Sequence, residues 1–281
     1  MPENLNKLAG IAKLLAVMAR LRDSEKGCPW DVEQDFATIT KYTLEEVYEV
    51  VEAIERQDMP ALKEELGDLL FQIVFYAQMA SEKSLFDFEQ IAQSTADKMI
   101  ERHPHVFEGK KLEDVEALMK MWEADKAAAR EEKAKKQGKT PSLLDDVGSA
   151  LPALTRAVKL QSRAARGGFE WKSVAPIFEK LDEEIIELKK EVAEKEKTKE
   201  PLPLDLVERL TEELGDVLFV AANIGRVLKI DPELALRMAN RKFERRFQAI
   251  EAALAAQNRK PQDASLQELT DLWNKVRKAK S

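Results

Sequence analysis

The chain has 281 residues, 44% hydrophobic and 35% charged, with only 10 glycines and 11 prolines. That balance suits a helical protein with room for two modest domains. A formal net charge of −7 with no long basic stripe argues against general affinity for nucleic acid. The single cysteine, Cys28, excludes an internal disulfide and fits a reducing compartment.

The opening Met1 to Asn6 lacks the basic and apolar pattern of a secretion signal, so a cytoplasmic location is expected. No apolar run approaches the ~20 residues needed to span a bilayer. Leu5 to Leu21 carries Leu8, Ile11, Leu15 and Met18 at helical spacing, which predicts an amphipathic helix. Gly27-Cys28-Pro29-Trp30-Asp31 is expected to break it as a loop. From Thr43 a second helix is predicted, with Thr43 as N-cap and Glu46 completing a capping box. Met59-Pro60 restarts the chain into a helix reaching about Ser81, and Phe86 to Glu101 reads as another. His103-Pro104-His105-Val106-Phe107 is expected to close the first half as a loop.

Residues 113 to about 137 are strongly charged and read as a solvated connecting helix frayed into a linker. The expected division is therefore 1–110, a connector 111–141, and 142–281. Ser149 to Arg166 is predicted as a helix with Arg156, Lys159, Arg163 and Arg166 on its polar face. A tail helix is expected from Leu266 to Lys280.

The second half repeats the first. Residues 64–71 read Glu-Glu-Leu-Gly-Asp-Leu-Leu-Phe, and residues 212–219 differ only by Val217 for Leu69. Glu183, Glu184 and Glu187 repeat Glu45, Glu46 and Glu49. Gly168-Phe169-Glu170-Trp171 mirrors the loop around Trp30, and Lys242 to Arg246 answers Lys98 to Arg102. The expected fold is all-α, two tandem helical-bundle units.

Each half thus holds EExxE followed by ExxD. Residues three apart share a helix face, so antiparallel packing would gather Glu46, Glu49, Glu65 and Asp68 in one unit. The other unit would gather Glu184, Glu187, Glu213 and Asp216. Four carboxylates in one cleft repel unless a cation sits among them or some stay protonated. An all-oxygen set suits a hard ion such as Mg2+, and with no Cys or His it argues against zinc. One EExxE alone is usually a solvated face. Both motifs, in order and twice on apolar helices, favour a site.

This pattern, with GCPWD ahead and RHPHVF behind, resembles the MazG-type nucleoside triphosphate pyrophosphohydrolases. The resemblance runs from Leu14 through Lys275. It implies an all-α fold, a homodimer, Mg2+ dependence, and hydrolysis of NTPs or dNTPs to the monophosphate and pyrophosphate. Water would attack the α-phosphorus, with Glu183 as candidate general base or else a solvent-facing residue. The alternative function is a nucleotide- or metal-sensing interaction protein without turnover.

A triphosphate also needs cations nearby. Lys180 lies one turn before Glu184, where the first half has Tyr42, and Arg209 one turn before Glu213, where it has Ala61. Lys242 and Arg246 share a helix face. Lys180, Arg209, Glu212, Lys242, Arg246 and Trp273 are the expected substrate contacts, which favours the C-terminal half as the main site. Trp273 either stacks on the base or anchors the last helix. Trp30 and Trp171 are expected to plug the bundle mouth, and His103, His105 and Cys28 to be structural.

Overall fold

The computed structural model describes residues 5–110 and 114–278. Residues 1–4, the first of the charged stretch (113) and the end of the expected tail helix (279–280) lie outside them. All regular structure among the described residues is helical. The chain divides into two compact units, residues 1–123 and 124–281.

In the first unit, α1 (Gly10–Leu21) and α2 (Pro29–Glu33) precede α3 (Thr40–Arg56), α4 (Met59–Glu82), α5 (Phe88–Arg102) and α6 (Pro104–Phe107). α3 and α4 form a tight hairpin because Gln57 takes a left-handed φ of 58° and Asp58 caps α4 through Ala61 N–H. The core is Met18 of α1, Ile39, and Val74, Phe75 and Met79 of α4, with Phe36, Tyr42 and Phe71 packed around it. Burying such side chains stabilises by roughly 1.5–3 kcal/mol each.

The division falls within α7 (Val115–Lys136). The second unit holds α8 (Ala153–Arg166), α9 (Ala175–Lys195), α10 (Leu204–Val227), α11 (Pro232–Ala255) and α12 (Leu266–Lys278). α9 and α10 pack as the counterpart of α3 and α4, with α8 against α10. Ile177 and Ile39, equivalent in the repeat, are both buried.

Several boundaries differ from expectation. Thr43 is no N-cap: α3 begins at Thr40, and the Thr43 hydroxyl lies 3.3 Å from Ile39 O and 3.0 Å from the Tyr76 hydroxyl. Pro29 and Pro104 open short helices where loops were expected, because proline is tolerated in the first helical turn. α5 begins at Phe88 since Asp87 and Gln90 form a reciprocal capping box. α8 begins only at Ala153, after Pro152.

Candidate active site

On α9, burial of one face carries Glu184 to 5% exposure beside α10. There the carboxylate oxygens of Glu184, Glu213 and Asp216 lie within 4.8 Å of one another. Glu213 is half-buried, and its Oε2 has no hydrogen-bond partner. Burial pushes the Glu213 pKa up, and the charges of Glu187, Asp216, Glu184 and Glu191 push it further. Burial and neighbours of its own sign together oppose ionisation here, and a bound cation would relieve both.

The first unit has a parallel group, Glu46, Glu49 and Glu65, also within 4.8 Å. Burial raises the Glu46 pKa, followed by the charges of Asp68, Glu49 and Glu65. Glu65 is raised by burial and then by Glu49, Asp68 and Glu64. The expected sets of four are thus closest as threes. Asp68 and Glu187 stand alongside, near enough to act on their neighbours' charge.

The two sites differ in their counter-charge. Lys180 Nζ sits 2.8 Å from Glu184 Oε1 and 2.9 Å from Glu183 Oε1, and these bonds raise the lysine's pKa. Glu183 itself is exposed. In the first unit Tyr42 occupies the position of Lys180, with Lys41 over its ring.

Arg209 does not point at Glu213. It is clamped by Glu191, Asp205 and Glu194 at 2.7, 2.8 and 2.8 Å, which raise its pKa, Glu191 foremost. Glu212 is exposed. Arg246 and Trp273 meet between α11 and α12: the Arg246 guanidinium lies 5.4 Å over the Trp273 ring, and Phe243 packs on that ring at 5.3 Å. Lys242 lies one turn before Arg246 on α11. His103 precedes α6 and His105 lies within it; His103 Nδ1 lies 2.6 Å from Met99 O and its ring packs on Trp122. Trp30 packs edge-on against Tyr42.

Sequence reasoning missed Glu191, buried two turns beyond Glu184, and a cavity of ≈ 230 Å³ between α8, α9 and α10. Lys-Lys-Glu-Val gives no sign that Glu191 is inside; only its pairing with Arg209 across the hairpin explains its burial.

The MazG nucleotide pyrophosphohydrolase domain model matches residues 34–107 and again 172–250, the segments that carry the two carboxylate groups. The chain belongs to the MazG family. It is 45% identical over 268 residues to the nucleoside triphosphate pyrophosphohydrolase of Escherichia coli (strain K12), covering 95% of this chain and 97% of that protein. It is 37% identical over 273 residues to the nucleoside triphosphate pyrophosphohydrolase/pyrophosphatase MazG of Thermotoga maritima, covering 96% and 98%. A Mycobacterium tuberculosis nucleoside triphosphate pyrophosphohydrolase matches 55% of this chain at 36% identity, over 44% of its own length. Both MazG domains keep an EExxE and an ExxD helix.

Proposed function

We propose that the C-terminal MazG unit hydrolyses nucleoside or deoxynucleoside triphosphates to the monophosphate and pyrophosphate, using Mg2+. The observation that carries this reading is the buried, unpartnered Oε2 of Glu213 within an all-oxygen group of three carboxylates. Such a donor set fits a hard cation and leaves coordination positions for phosphate oxygens. Glu184, Glu213 and Asp216 would hold the ion, with Glu187 beside them. Bound there, Mg2+ would supply Lewis-acid polarisation and neutralise phosphate charge.

The remaining work falls to the chain's own groups. Lys180 offsets the negative charge of the acids and is poised to turn from Glu184 to a phosphate oxygen. Glu183, at the rim, is our assignment for the base that takes a proton from the attacking water at the α-phosphorus. Lys242 and Arg246 offer further cations to the polyphosphate, with Trp273 packed beside Arg246. We assign Arg209 to bracing Glu191 and so the α9–α10 pair, because its donors already meet three carboxylates.

The N-terminal unit suits metal or nucleotide binding without comparable turnover, since Tyr42 stands where Lys180 does. We also infer a homodimer. Leu44, Val47, Tyr48, Leu66, Leu70 and Ile73 are exposed on α3 and α4, as are Leu214 and Leu218 on α10, an apolar surface that a partner would cover. Among the described residues, no helix is long and apolar enough to cross a membrane.

The test is product analysis. Protein, Mg2+ and the common NTPs should yield monophosphate and pyrophosphate. Orthophosphate and diphosphate would place attack at the γ-phosphorus and overturn the reading; metal-dependent binding with no product would favour a sensor.

A further inference from the structure

Repeat register exposes a gap in the second core. Offsetting the two ExxD helices by the repeated octamer sets Asn223 where the first unit has Phe75. Phe75 is fully packed in the first core. The shorter Asn223, although buried, borders a cavity of ≈ 230 Å³ between α8, α9 and α10. A cavity of about 150 Å³ holds a benzene ring, so this one has room for a two-ring side chain.

One polar atom in its wall is left over. Gln161 is 9% exposed, and its Nε2 donates to Phe219 O at 2.7 Å. That bond fixes which end of the amide is the oxygen, and Oε1 is buried with no partner. An unpaired buried acceptor is costly. Two donor-bearing neighbours in the wall are already committed. Arg226 grips Glu170 with both terminal nitrogens, at 2.9 and 2.7 Å, and its Nε donates to Asn223 Oδ1 at 2.8 Å. That last bond pins the Asn223 amide, whose nitrogen does not meet Gln161 Oε1. The donor that remains among the lining side chains is the indole N–H of Trp171.

Trp171 is 37% exposed at the edge of the cavity, its ring 5.9 Å from that of Phe169. A part-exposed indole beside an apolar void forgoes both burial and packing contacts. The loop that carries it leaves α8 through Gly167 and Gly168, and Gly168 has a φ of 92° that a side chain would strain. Glu170 is tethered by Arg226, so the backbone beside Trp171 stays anchored while the ring turns.

We propose that this loop is a gate with a second, inward seat, in which the Trp171 indole fills the cavity and its Nε1–H donates to Gln161 Oε1. The occupant is the chain's own side chain. In that seat the ring backs Phe219 and Val220, three and four residues beyond Asp216, where the open gate leaves a void. Gln161 then links the indole to the Phe219 carbonyl and is a positioning residue for the acid-bearing stretch of α10. This positioning role rests on the nucleotide-hydrolysing reading; the movement of the ring does not.

Fluorine NMR of the full-length protein labelled with 5-fluorotryptophan follows the ring without turnover. Trp171→Phe assigns its signal among the four tryptophans. The shift of that signal between H2O and D2O should be small in the wild type, as for a ring shielded from solvent. Asn223→Phe, which fills the cavity with the residue of the first unit, should restore the full shift of an exposed ring at unchanged helicity. Gln161→Leu keeps the volume, deletes the acceptor and should cut the shielded population about tenfold. Should Asn223→Phe fail to fold, Gln161→Leu carries the test. A Trp171 ring as exposed in the wild type as in the variants would overturn the gate. In turnover, Gln161→Leu should lower kcat severalfold at unchanged KM. A raised KM at unchanged kcat would overturn the positioning role. A wild type that releases no pyrophosphate would strike the nucleotide reading, and the NMR signal would still decide the gate.

Discussion

Lys180 and Glu184 share one turn of α9, with the ammonium 2.8 Å from a carboxylate that is almost fully buried. Glu184 therefore reaches its place inside the α9–α10 pair already neutralised. On the proposed function, a metal ion bound there would displace the lysine, which would then be free for the phosphates. Lys180→Met should consequently move two quantities in opposite directions. Mn2+ affinity of the C-terminal site, followed by electron paramagnetic resonance in an Glu46→Ala/Glu49→Ala background, should rise severalfold. Turnover should fall about 10²-fold. Lower Mn2+ affinity would show that the lysine holds the site together and does not compete for it.

The two units should contribute unequally. Glu184→Ala with Glu187→Ala should reduce pyrophosphate release by about 10³-fold or more, whereas Glu46→Ala with Glu49→Ala should cost less than about tenfold. Equal losses would refute the asymmetry drawn from Lys180 and Tyr42.

Acid groups raised by their neighbours carry a stability signature. Glu213 is raised by burial and then by the surrounding carboxylates, so the folded apo protein binds its proton more tightly than the unfolded chain does. Stability is then lost as pH rises from the unfolded value through the higher folded one. Glu213→Gln should raise the apo melting temperature at pH 7, and the gap from wild type should close as pH falls towards 4.5. Saturating Mg2+ should close it from the other side, by stabilising wild type alone. A gap independent of pH would exclude charge repulsion as its cause.

The clamp on Arg209 makes a different kind of prediction. Arg209→Met leaves Glu191 buried without its cation and should lower the melting temperature. Pairing it with Glu191→Met should recover most of the loss, because an apolar pair tolerates burial better than a lone charge. If Arg209 instead served the substrate, the single variant would raise KM at unchanged stability.

Gly67 and Gly215 sit mid-helix in the two ExxD motifs, and a Cβ added at either would meet nothing within 4 Å. Within one chain, alanine should be favoured there by up to about 1 kcal/mol. Their presence fits close approach by a second copy. Gly215→Ala should weaken self-association measured by sedimentation, and unchanged association would remove this support for the dimer.

Much of the molecule was legible because helical spacing and the repeat are local properties. EExxE and ExxD fix which acids share a face, and apolar flanks show that the face is half inside. The reduction from four acids to a close three was not legible. Residues three apart still diverge by about 60° round the helix, so side-chain packing decides whether Asp68 or Glu187 joins. Thr43 misled because its hydroxyl found Tyr76 across the hairpin, a partner remote in sequence. Arg209 is an expected substrate contact by its place one turn before Glu213, and spacing gives no sign of the three carboxylates that the α9–α10 packing gathers round it. Gln161 could not stand out, since only tertiary packing leaves its oxygen alone.

The most direct measurement is anomalous diffraction from crystals soaked with Mn2+ and an α,β-imido nucleoside triphosphate. A manganese peak about 2.2 Å from oxygens of Glu184, Glu213 and Asp216, with the α-phosphate adjoining, is the expected result. Those three side chains turned apart into solvent, with the ion elsewhere, would contradict it.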